Sequence, residues 1–190
     1  MKQVLSAWNF CTVILSYELP IISDVMTQLR MVIRSMLTSE GIVTAMDDST
    51  IIWKPKFGKI RRTKIQAPAS VLLGVIGPKG VISRIIAGDR YGGVSVILLP
   101  EMKVVDRYVV GNSEVRSLCL SSLSGDSILV GCDNGSIHMV GQRVPNRVVS
   151  LFELEGPASA IRVVGQDLHV QQGWERKVMT WSGQQSKLVA

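Results

Sequence analysis

Residues 54–64, KPKFGKIRRTK, place six cations in eleven positions: Lys54, Lys56, Lys59, Arg61, Arg62 and Lys64. Lysine and arginine at this density neutralise phosphate charge, and Phe57 among them offers a face on which a base can stack. This is the chemistry of a nucleic-acid or acidic-ligand site. The same residues also suit an outermost β-strand and the turn leading into it, where charge prevents edge-to-edge pairing. That second reading is preferred, because a basic run without a binding motif is a weak signal by itself.

The other chemistry-bearing residues point away from catalysis. Asp47, Asp48, Asp89, Asp133 and Glu175 recur at one place in a repeated unit. Each is therefore expected to shape its own hairpin turn, by bonding nearby backbone, rather than to join a metal site. His138 and His169 are the only histidines, and no Ser–His–Asp or Cys–His order can be drawn around them. Residues 88–93, GDRYGG, lack the following Lys-Ser/Thr and the following helix of a phosphate loop. Cys11, Cys119 and Cys132 have neither metal-ligand spacing nor a CxxC pair. They read as small buried hydrophobes in a reducing compartment. The sequence thus predicts no enzymatic activity, no cofactor and no metal.

The elements that position these residues come from a repeat. Residues 42–46, IVTAM, are β-branched and apolar; residues 47–49, DDS, are turn formers; residues 50–53, TIIW, form a second apolar run. Together they predict a β-hairpin. The window recurs without gaps at residues 4–15, 128–139 and 170–181, the last with Glu175 on Asp47 and Trp181 on Trp53. A fifth copy, residues 85–98, is read with a longer turn over residues 89–93. Apolar segments precede the hairpin at residues 31–37, 71–76, 115–120 and 161–164, and follow it at residues 60–65, 104–110 and 148–154. Four strands a, b, c and d per period of about 40 residues predict β-propeller blades, each burying its faces against its neighbours.

At this point the chain resembles the WD-repeat family. The residues that carry the resemblance are Asp47 with Trp53 and Glu175 with Trp181, an acid six positions before a tryptophan that closes strand c. No Gly-His pair precedes strand a, and the tryptophans are followed by Lys54 and Ser182, so the family's His–Ser/Thr–Trp network is not carried over. The resemblance implies that the b–c turns lie on the face most used for partners. Arg90 and Tyr91 stand in one such turn, Trp174 and Arg176 in another. All four are residue types enriched at interfaces.

The chain has 190 residues, of which 46% are hydrophobic and 19% charged, with a net charge of +6. That argues against disorder and for strands buried on both faces. The absence of an 18-residue apolar run predicts no spanning helix. Lys2 and the apolar residues 4–15 invite a signal-peptide reading, but Asn9 interrupts the run and the repeat match explains it better. The blades are expected at about residues 1–27, 30–66, 70–111, 114–155 and 159–183, followed by a polar tail over residues 184–190. Ile22, Val25, Met26, Leu29, Val32, Ile33 and Met36 fall at helical spacing, so residues 21–37 also fit an amphipathic helix.

The first blade lacks a strand a and the last lacks a strand d. The expected fold is therefore an all-β, propeller-like array of four to five four-stranded blades, incomplete or open, resembling the C-terminal part of a larger propeller. Its open edges and apolar faces are expected to recruit a protein partner or a second copy. The function read from this is a non-enzymatic interaction scaffold, with nucleic-acid or acidic-ligand binding through Lys54–Lys64 as the alternative. The expected location is intracellular and cytoplasmic, with a nuclear location left open.

Overall fold

The computed structural model of the protein describes residues 31–180, apart from residues 78, 122–126, 142–143 and 166. The expectations for residues 1–27, Cys11, Trp181 and the 184–190 tail lie outside the described residues. The described chain is all-β and forms four sheets of three or four antiparallel strands. The first sheet holds β1 (Val32–Thr38), β2 (Gly41–Met46), β3 (Thr50–Pro55) and β4 (Arg61–Lys64). The second holds β5 (Ala69–Ile76), β6 (Ile82–Asp89), β7 (Gly93–Leu98) and β8 (Lys103–Val109). The third holds β9 (Val115–Leu120), β10 (Ser127–Cys132), β11 (Ser136–Gly141) and β12 (Val148–Glu153). The fourth holds β13 (Ala160–Val164), β14 (Asp167–Gln172) and β15 (Glu175–Thr180). Each sheet is a meander whose strands pair in chain order. The helical alternative fails over β1: Val32 to Thr38 pair with β2, and that pairing uses the backbone groups a helix would keep for itself.

The first three sheets repeat with a fixed step. Their second strands end at Met46, Asp89 and Cys132, and their third strands begin at Thr50, Gly93 and Ser136. The three intervening loops have equal length, so residues 89–93 are not a longer turn. In each loop the last residue takes a left-handed conformation: Ser49 at φ 65°, Gly92 at 81° and Gly135 at 86°. A three-residue hairpin loop requires this to close on twisted strands. Two backbone hydrogen bonds recur around each loop. The N–H groups of Asp47, Arg90 and Asp133 reach back to the carbonyls of Met31, Pro68 and Glu114. Those of Ile65, Val110 and Leu154 donate to the carbonyls of Ser49, Gly92 and Gly135.

The fourth sheet departs from this step. Gln172 pairs with Glu175 across a two-residue turn, Gly173-Trp174, with Gly173 at φ 55°. Glu175 is thus the first residue of β15 rather than a turn acid equivalent to Asp47. Val178 stands opposite His169 where Trp53 stands opposite Val43, so Val178 takes the place of Trp53 in this sheet.

Three apolar cores lie between successive sheets. Val43, Ala45, Ile51 and Trp53 meet Ala69, Ile85 and Ile97 between the first and second. Ile86, Val94 and Val96 meet Val115, Ile128 and Val130 between the second and third. Leu129 and Ile137 meet Ile161, Leu168 and Val170 between the third and fourth. The middle sheets are consequently buried on both faces, and the six residues of β10 are all buried.

Adjacent sheets are also joined by polar contacts. Arg34 Nε donates to the Ser70 carbonyl at 2.7 Å, Ser70 Oγ to the Val115 carbonyl at 2.6 Å, and Ser117 Oγ to the Ala158 carbonyl at 2.6 Å. These bonds lay β1, β5, β9 and β13 side by side with their starting ends together. Farther out, Arg61 donates to the Pro100 carbonyl at 3.1 Å. Arg147 pairs with Asp106 at 2.5 Å while its guanidinium lies 5.0 Å from the Tyr108 ring centre.

Three substitutions test this stacking. Trp53→Ala is expected to cost about 3–5 kcal/mol, the range for truncating a well-packed buried aromatic. At Gly131 an added Cβ would press on Ser117 Oγ of the paired strand and on Ile161 and Ala158 of the facing elements, whereas at Gly156 it would meet only the flexible end of Gln172. Gly131→Val is therefore expected to destabilise by roughly 1–3 kcal/mol or more and Gly156→Val by much less. Urea midpoints of the two variants would measure the difference.

Candidate functional site: the rim of hairpin turns

Because the four first strands start together, the loops joining second to third strands all emerge on one rim. This rim carries Arg90 and Tyr91 from the second sheet, Asp133 and Asn134 from the third, and Trp174 and Arg176 from the fourth. The structure brings the two sequence-predicted pairs to the same rim but not into contact, since the third sheet stands between them.

Tyr91 is 69% exposed, yet its loop is held firmly from below. Asp89, only 1% exposed, accepts the N–H groups of Tyr91 and Gly93 through Oδ1, each at 2.8 Å. A Cβ on Gly93 would strike the same carboxylate, so a larger residue there would have to displace it. The acids thus shape their own loops in two cases: Asp89 as above, and Asp48, which accepts the Thr50 N–H at 3.0 Å. In the third sheet Asn134 takes that role, accepting from the Ser136 N–H at 3.2 Å. Asp133 turns outward instead, where Arg116 donates to it at 2.8 Å and also pairs with Glu114 at 3.3 Å. This half-exposed charged cluster on the middle of the rim was not apparent from the sequence, because Arg116 lies on β9 and Asp133 on the loop after β10.

Trp174 is fully exposed, at 102% of its reference area, on the tight turn of the fourth sheet. Arg176 beside it points its guanidinium at His169 Nδ1. The rim therefore alternates aromatic rings with charged groups.

The six cations of residues 54–64 all lie exposed on the β3–β4 hairpin, where β4 is the outermost strand of its sheet. The tip of this hairpin lies at the opposite end of the strands from the rim.

Ser136 and His138 approach a catalytic pairing without forming one. Their Oγ and Nε2 atoms are 2.9 Å apart and both residues are buried. The Ser136 hydroxyl donates to Asn134 Oδ1 at 2.8 Å, so the imidazole N–H donates to Ser136 and no base faces the hydroxyl proton. Burial lowers the His138 pKa below its ordinary value, with Glu153 opposing the shift. Burial likewise pushes the Cys119 and Cys132 thiols up, away from the reactive thiolate. Among the described residues no three His, Cys, Asp or Glu side chains gather in a metal-binding group, and no helix is long and apolar enough to cross a membrane.

No protein-family model and no curated protein matches the chain. Among solved structures it is similar to the computationally designed Ika4 protein, with a TM-score of 0.66 over 84% of this chain and 96% of that one, at 13% identity. It is also similar to the computationally designed Ika8 protein, with a TM-score of 0.64 over 80% of this chain and 46% of that one, again at 13% identity. The chain thus spans about half the length of the second protein. At such identity the likeness concerns the fold alone.

The His138 environment gives a pH dependence whose sign is fixed. The folded state disfavours the imidazolium, so the unfolded chain takes up a proton first as pH falls through 6.5, the ordinary value. Stability from this group is complete above that pH and declines below it, until the lower folded-state pKa has also been passed. His138→Gln keeps a donor for Ser136 but cannot titrate. Urea midpoints between pH 7.5 and 5 are therefore expected to fall more for the wild type than for the variant.

Proposed function

We propose that the four sheets are blades of a WD-like propeller array and that the protein is a non-enzymatic interaction scaffold. It holds a protein partner on the rim of hairpin turns. The observation that carries this reading is the exposure of Tyr91 and Trp174 on one rim, at 69% and 102%. Aromatic rings offer large apolar area with little side-chain entropy to lose on binding. Here they stand on loops fixed from below, by the Asp89 carboxylate in one case and a two-residue turn in the other. Arg90, Arg176 and the Glu114–Arg116–Asp133 cluster surround them with the charged groups that give an interface its register. The arrangement of the sheets supports the blade reading: each is a meander, each packs on the next, and three share a constant step.

The open outer edge of the array is a second contact region in this reading. Among the described residues β15 pairs only with β14, where the other three sheets continue to a fourth strand. A partner strand can add to such an edge through main-chain hydrogen bonds.

A photo-reactive phenylalanine analogue placed at Tyr91, at Trp174, and at Lys79 on the opposite end tests the rim in cells. Adducts to one common protein from the first two positions, lost on Trp174→Ala in the Tyr91-labelled chain, are the expected result. Adducts from Lys79 alone, or none from either rim position, would remove the basis for this assignment.

A further inference from the structure

We infer that the β3–β4 hairpin binds single-stranded nucleic acid. Edge protection explains charges within the ladder of β4, but it does not explain those outside it. Lys56 and Lys59 lie in the turn between the strands, where there is no ladder to protect. Between them Phe57 is 92% exposed, an aromatic ring presented to water at the tip of a hairpin. Gly58, at φ 107°, makes the turn that separates Phe57 from Lys59.

Register sorts the remaining cations. Ile52 pairs with Arg62 and Thr50 with Lys64, so Arg62 and Lys64 share with Lys54 the face of the first sheet turned away from the second. Arg61 pairs with Trp53, points to the other face and is anchored on the Pro100 carbonyl. Three cations thus crowd one flat face, and two more flank an exposed ring at its end. Like charges at such spacing repel one another. Among the described residues none of the six has a carboxylate in ion-pair range, whereas Arg116 and Arg147 are both paired. A polyanion relieves that repulsion, and a base stacked on Phe57 uses the ring. A duplex keeps its bases stacked inside and offers none to the ring, which selects a single strand.

Anisotropy of a fluorescent mixed-sequence single-stranded DNA oligomer against the full chain tests the assignment. Affinity is expected to fall steeply with salt, with a log–log slope of about −3 if four phosphates are neutralised. Lys54→Gln/Arg62→Gln is expected to make that slope shallower by about 1.4, since each lost contact removes about 0.7. Lys56→Gln/Lys59→Gln, whose sites lie outside the ladder, is expected to do the same and guards against a folding effect. Phe57→Ala is expected to weaken binding at least about fivefold with the slope unchanged, as loss of one stacked base requires. No binding at low salt, or binding indifferent to both cation pairs, overturns the proposal. So does an oligomer displaced equally well by polyglutamate and insensitive to Phe57→Ala, which would assign the surface to acidic proteins instead. Because the hairpin tip and the aromatic rim lie at opposite ends of the strands, failure here leaves the rim reading intact.

Discussion

Everything in this structure rests on how closely one sheet can approach the next. The step of the repeat puts Ala45, Gly88 and Gly131 at one position of the second strand, facing the following sheet. A Cβ on Gly88 would drive into Val115, and one on Gly131 into Ser117, Ile161 and Ala158. These small residues allow the first strand of the next sheet to come in nearly against backbone. Only at that range do the Ser70 and Ser117 hydroxyls reach carbonyls of the neighbouring elements. The contact is specific as well as close, because each hydroxyl fixes the lateral register of two sheets. The rim exists as a rim only because that register is the same at each junction.

The three cores are separate and each belongs to one pair of neighbours. Stability in such an array is approximately a sum of sheet terms and nearest-neighbour interfaces. The terminal faces must then be treated differently from internal ones, and the fourth sheet shows how. Where the first three sheets present Val43, Ile86 and Leu129 to a neighbour, the fourth presents His169. Where they present Ile51, Val94 and Ile137, it presents Arg176. The expected apolar open face is therefore corrected for this sheet: Arg162, Asp167, His169 and Arg176 make it largely polar, and Val164 and Val178 are its apolar remnants, 44% and 55% exposed.

Strands were legible in the sequence because apolar β-branched runs and turn residues alternate strongly, and every expected segment in the described part of the chain is a strand. The frame between copies was less legible. Matching acid to acid placed Asp89 on Asp47 and Glu175 on the same site. The loop conformation sets a different frame, in which the left-handed residues Ser49, Gly92 and Gly135 correspond. A side chain with period two can slip by one or two positions and still look apolar, whereas a left-handed backbone position cannot slip. Aligning on the Gly-Gly and Gly-Ser pairs after each loop would have found it. At the candidate site, Tyr91 and Trp174 could be read from turn chemistry. The Glu114–Arg116–Asp133 cluster could not, since it depends on the pairing of two strands.

The charges of the two terminal faces bear on what the array can join. The outward face of the first sheet carries Lys54, Arg62 and Lys64; that of the fourth carries Arg162 and Arg176 beside the single acid Asp167. Copies stacking head to tail would set these like charges against each other across a partly desolvated gap. At a surface dielectric such pairs repel appreciably, and removing water strengthens the effect. The excess of cations is greater on the first of these faces, where no carboxylate stands among them. The aromatic rim carries both signs of charge, with Glu114 and Asp133 opposite Arg90 and Arg176, and so does not share this bias. The same stack of sheets therefore presents two chemically distinct kinds of surface. One is a face rich in cations, and the other is a rim of mixed charge that carries two exposed aromatic rings.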